Sequence, residues 1–128
     1  MHTRTVLHWT AAILVATVCL APSNGFAEDM AKVAPKFVKV LLDNEHVRVL
    51  EVNAKAGDKI PMHSHPGYFV YSFTNGKSKD IFPDGKTAER EFKMGETVWG
   101  KTHAHANEAI TDVHVLVTEL KEQKGMKK

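Results

Sequence analysis

The 128-residue chain has a single cysteine, Cys19, and it lies in the first 27 residues. No residue from 28 onward can therefore supply a disulfide, a thiol nucleophile or a cysteine ligand for zinc or iron–sulfur. Charge of one sign is also lacking. Seventeen Lys and Arg face fifteen Asp and Glu, a formal net charge of +2, which gives no footprint for nucleic acid or for a polybasic membrane contact. No internal repeat of 20–50 residues is present. No segment combines end caps with the 3.6-residue apolar period of a long helix. The length suits one domain. What the chain does have is eight histidines, and their placement carries more information than any bulk property.

The amino terminus has a three-part layout. Arg4 and the terminal amine form a basic start, and Val6–Ala21 is an uncharged run. A polar stretch, Pro22-Ser23-Asn24, leads to Gly25-Phe26-Ala27, with small residues at its first and third positions. This predicts a secretory signal peptide over 1–27, cleaved after Ala27. The run is short for a bilayer span of about 20 apolar residues, so no stable membrane anchor is expected after cleavage. Bulky Val18 before Cys19 argues against lipoprotein processing. The location expected is periplasmic or secreted.

From residue 37 the signals are those of strands. Phe37–Leu42 is rich in β-branched and large apolar residues, and Asp43-Asn44-Glu45 is a turn. In His46–Ala54, Val47 and Val49 share one face, and Leu50 and Val52 the other. Gly57-Asp58 is another turn. Tyr68–Thr74 is aromatic, and Asn75-Gly76 after it is a hairpin signal. Lys77–Phe82 and Thr87–Lys93 flank Pro83-Asp84-Gly85-Lys86, a second hairpin. Thr97–Trp99 and Val113–Leu120 complete the set. Short strands with frequent turns predict an all-β sandwich or barrel over 37–120. Glu28–Lys36 reads as a lead-in, and 121–128 as a solvated polar tail.

The chemistry concentrates in Pro61-Met62-His63-Ser64-His65-Pro66. Histidines at i and i+2 share a face only in extended chain, and both prolines oppose a helix. A second pair, His103-Ala104-His105, follows the short strand Thr97–Trp99. His46 and His114 stand alone within strands. Phe69, Tyr71 and Phe73 share a parity; if that face is inward they line a pocket, with Tyr68 outward. Glu108 lies nearest a histidine pair among the carboxylates and is a candidate to orient His105.

These motifs resemble those of the small single-domain cupins. The family's first motif runs Gly, five residues, His-x-His, three or four residues, Glu, six residues, Gly. Here Gly57, His63, His65 and Gly76 fall at matching positions, with Phe69 where Glu is usual. In the second motif Gly95 and His105 match the ends. Lys101 and His103 replace the usual Pro and Gly, and Ala109 the terminal Asn. The resemblance implies a jelly-roll β-sandwich or barrel with His63, His65 and His105 as metal ligands. It leaves His103 as a neighbour or alternative ligand, and a positive-φ turn there would tolerate histidine. Nitrogen donors imply one divalent transition metal (Fe, Zn, Cu, Ni or Mn), and not magnesium or calcium. The functions that follow are an exported metal-binding cupin acting on a small molecule, in its catalytic form an oxygenase-like enzyme. Two alternatives are a non-catalytic module for a small ligand or metal, and a cupin that has lost its metal. A small-molecule ligand and a homodimer are the partners the resemblance implies, with no nucleic acid.

Overall fold

The computed structural model describes residues 28–101 and 103–122; the predicted signal peptide and the end of the polar tail lie outside them. Two five-stranded sheets face each other. The first has the order β1 (Glu28–Asp29), β4 (Lys59–His65), β9 (His103–Ala109), β6 (Gly76–Ile81), β7 (Thr87–Phe92). The second has the order β2 (Val38–Asp43), β3 (Val47–Ala54), β10 (Val113–Leu120), β5 (Tyr68–Ser72), β8 (Thr97–Gly100). Apart from the β2–β3 and β6–β7 hairpins, successive strands alternate between the sheets, as in a jelly roll.

Period-2 patterning builds the core. Leu50, Val52 and Ala54 of β3 and Val113, Val115 and Val117 of β10 are buried, and they meet Ile60, Tyr68, Val70 and Phe92. Inner faces that alternate apolar with outward polar residues are what two packed sheets require.

Several turns form as the sequence suggests. Asn44 joins β2 to β3, its side-chain oxygen accepting from the amides of His46 and Val47. Gly57, Gly85 and Gly95 take positive φ, which a side chain would resist. Gly85 closes the antiparallel β6–β7 hairpin.

Asn75-Gly76 is not a hairpin. β5 and β6 belong to different sheets, so this segment crosses the sandwich. Gly76 is needed for closeness: a Cβ there would come within 2.7 Å of the Asp112 carbonyl oxygen. The lead-in is also more than a lead-in. Glu28 and Asp29 pair in parallel with His63 and Ser64 of β4. They are followed by α1 (Met30–Val33), a single turn N-capped by Asp29 and anchored by buried Met30.

Candidate metal centre

His63 and His65 lie on β4, between β1 and β9 in the first sheet. A bulge aims them inward. Ile60 pairs with Asn107 and His63 with His105, so β4 spends one residue more than β9 between the two pairs. Pro61, which has no N–H to lose from the ladder, sits within the bulge. Ile60, His63 and His65 are all buried as a result. Opposite them on β9, His105 faces His63 and His103 faces His65.

His63, His65 and His105 are buried, and each offers a ligand atom within 4.8 Å of the others. These three histidines could hold a metal ion. Their ring centroids are 4.9 Å apart for His63–His65, 4.6 Å for His63–His105 and 5.7 Å for His65–His105.

The electrostatics suit metal coordination. Burial pushes the His63 imidazolium pKa down to about 4. Burial and then the neighbouring histidines push His105 down to about 2. Both rings are thus neutral at pH 7, with a lone pair free to donate. His63 Nδ1 lies 2.7 Å from the Pro61 carbonyl oxygen and donates to it, leaving Nε2 as its ligand atom. That Nε2, and Nδ1 of His105, are buried with no hydrogen-bond partner. Unpaired nitrogens in a dry site are costly, and a bound ion would satisfy them.

A chain of charged groups stands behind His65. Its Nδ1 lies 2.6 Å from Oε1 of buried Glu119. Arg48 Nη1 is 3.9 Å from the other Glu119 oxygen. Asp29 in turn grips Arg48 through both carboxylate oxygens, at 2.5 and 2.7 Å. The amino-terminal segment thereby reaches the candidate site twice, through this chain and through Met30, which lines its cavity. A signal for Glu119 and Arg48 does exist in the sequence. Glu119 continues the inward parity of Val113, Val115 and Val117, and Arg48 that of Leu50 and Val52. A charge on a core-facing strand position needs a partner.

The other expected site residues fall elsewhere. Tyr68, Val70 and Ser72 form the inward face of β5, while Tyr71 and Phe73 are exposed and Phe69 is half-buried on the same outer face. The predicted parity is therefore reversed. The motif's carboxylate position is filled on the cavity side by Val70, one residue after Phe69. Glu108 does not touch His105; it pairs with Lys79 at 3.0 Å. Glu119 is the carboxylate bonded to a histidine of the trio, and that histidine is His65.

His103 lies outside the cluster of three, although its ring is 4.6 Å from that of His105. It occupies an ordinary extended position, with no positive φ, and its Nδ1 bonds to the Lys101 carbonyl. His46 adjoins Glu45, and His114 pairs with Glu51 at 2.9 Å.

A cavity of about 60 Å³ touches the three histidines. Apolar side chains make most of its wall, among them Val52, Ile60, Val70, Val115 and Val117, with Ser78, Arg90 and Asn107 as the other polar lining. Asp80 braces Arg90 (2.7 and 3.2 Å) and Asn107 (2.7 Å).

No protein-family model matches the chain, and no curated protein matches its sequence. Solved structures do match. A cupin domain from Bordetella pertussis Tohama I superposes with a TM-score of 0.60 at 24% identity, over 66% of this chain and 92% of that one. A protein from Bacillus halodurans gives 0.53 at 14% identity, over 72% and 75%. A cupin superfamily protein from Desulfitobacterium hafniense gives 0.51 at 14%, over 66% and 76%. The chain thus has the cupin jelly-roll fold, with three buried histidines gathered where they could hold a metal ion.

Proposed function

We propose that the protein binds one divalent transition metal through His63, His65 and His105 and presents the ion's open positions to a small ligand. The observation that carries this is the buried trio itself, with two ring nitrogens left unpaired. The donor set is all imidazole, which fits Fe, Zn, Cu, Ni or Mn. When bound, such an ion supplies Lewis acidity and, for a redox metal, electron transfer. The chain's own part is positioning. His63 is turned by the Pro61 carbonyl and His65 by Glu119, and the apolar walls exclude bulk water.

The cavity has room for ligands of water or diatomic size, far below the usual few hundred Å³ of a substrate pocket. Among the described residues no carboxylate lines it, so none of them offers the ion a general base. The reading is a metal-binding cupin whose activity, if it turns over, is oxygenase-like. A non-catalytic metal or ligand carrier is the second reading, favoured by the missing base. The predicted signal peptide over 1–27 supports a periplasmic or secreted setting, and the family resemblance supports a homodimer.

Elemental analysis of the purified protein beside His63→Ala, His65→Ala and His105→Ala tests the binding. About one metal per chain in the wild type and little in the variants is expected. Near-zero metal in all four after reconstitution with iron, zinc, copper and nickel contradicts it. Oxygen uptake by iron-loaded protein across thiols, diketones and phenols then separates enzyme from carrier.

A further inference from the structure

The inner cavity is too small for an organic molecule, yet a larger space lies beside it. A cleft of about 610 Å³ opens between β7 and β8, each of which is the last strand of its sheet. That volume is in the range of sites for small organic molecules. Arg90 lines both spaces, and His103 in the cleft stacks 4.6 Å from His105. The cleft therefore adjoins the metal centre.

Its walls have a definite chemistry. Val98, on the inner parity of β8 opposite buried Val70, is 42% exposed because no strand of the first sheet covers it there. Ala88 of β7 is the other aliphatic side chain of the lining. The Phe82 and His103 rings lie 5.8 Å apart and form an aromatic corner. Asp80 and Arg90 neutralise each other. Glu89 also borders the cleft, from the more exposed face of β7; its register neighbour Lys79 is ion-paired with Glu108. Lys101 is exposed at the rim, and its ammonium has no ion pair among the described residues.

We propose that this cleft binds a small planar anion, an aromatic or heteroaromatic carboxylate. Its ring lies against Phe82 and His103, and its carboxylate meets Lys101. Aromatic walls favour flat ligands through offset or edge contact, and a lone cation at the rim orients the charged end. Only the ligand's role as substrate or metal co-ligand rests on the metal reading above; its binding does not.

The test is an amide chemical-shift titration of the full-length protein, as purified and after chelator treatment. The probes are benzoate, benzyl alcohol and cyclohexanecarboxylate. Benzoate is expected to shift the Val98, Gly100, Lys101 and His103 amides saturably in both preparations. Lys101→Gln should weaken benzoate about fivefold, the worth of one exposed charge contact, and leave benzyl alcohol unchanged. Phe82→Leu should weaken both. Absence of saturable shifts at these amides overturns the site. Equal benzoate binding by Lys101→Gln overturns the anion preference, and cyclohexanecarboxylate binding as well as benzoate overturns the preference for planarity. Because chelated protein is included, a failed metal assay and a failed cleft are read separately.

Discussion

The Glu119 carboxylate lies 2.6 Å from Nδ1 of His65, with both side chains buried. This fixes which face of the imidazole meets the site: Nδ1 is committed to Glu119, so Nε2 is left for an ion. Carboxylates behind metal-bound histidines orient the ring and raise its basicity.

Removal of that carboxylate should weaken metal binding without emptying the site. Glu119→Gln keeps an acceptor for the Nδ1–H and should lower affinity about tenfold. Glu119→Leu removes it and should approach a hundredfold. Competition against a chromophoric chelator measures both. Equal affinity in all three proteins would show that Glu119 serves packing alone.

Asp29 acts one step further out, by holding Arg48 beside Glu119. Asp29→Asn preserves a helix cap, since Asn caps about as well as Asp, but loses the charge. Stability should fall by about 1 kcal/mol, a modest figure because the pair is partly solvated. Metal affinity should fall less than in Glu119→Gln. The cobalt(II) absorption spectrum of the variant should also change, a readout that a helix cap alone would leave in place.

Acid should destabilise the metal-free protein over a defined window. The unfolded chain takes up a proton on His63 below pH 6.5, whereas the folded chain resists until about pH 4. The unfolded state binds more protons in between, so stability is full above pH 6.5 and is lost as pH falls toward 4. His63 alone accounts for about 3 kcal/mol, and His105 acts in the same direction. Urea unfolding at pH 7.5, 5.5 and 4.5 measures it. A flat profile, or one that rises in acid, would contradict the buried neutral imidazoles.

Gly100 is a packing requirement under Tyr68. A Cβ there would lie 2.1 Å from the tyrosine ring. Gly100→Ala should cost about 1–3 kcal/mol. The same change in a Tyr68→Ala background should cost much less, because the opposing ring is gone. Additive costs in thermal unfolding would place the strain elsewhere.

The fold and the trio were legible for physical reasons. His63-Ser64-His65 between two prolines demands extended chain, and a strand puts both rings on one face; Val113–Leu120 alternates plainly enough to identify the last strand. The misreadings are equally specific. Tyr68 and Tyr71 are both aromatic, and composition cannot say which parity faces inward. Asn75-Gly76 has the chemistry of a tight turn, but its glycine serves a close approach to Asp112 in a crossing between sheets. Asp29 carries no local signal of its bond to Arg48, which lies 19 residues away on β3 of the other sheet.

The central claim concerns the ligand set, and X-ray absorption at the edge of the bound metal reads it directly. Zinc-loaded protein should show three imidazole nitrogens at about 2.0–2.1 Å, with water or hydroxide oxygen filling the open positions. In His105→Ala loaded with excess zinc, enough to fill the weakened site, the imidazole scattering should fall by one ring. A shell of oxygen donors only, or an unchanged imidazole count in that variant, would contradict it.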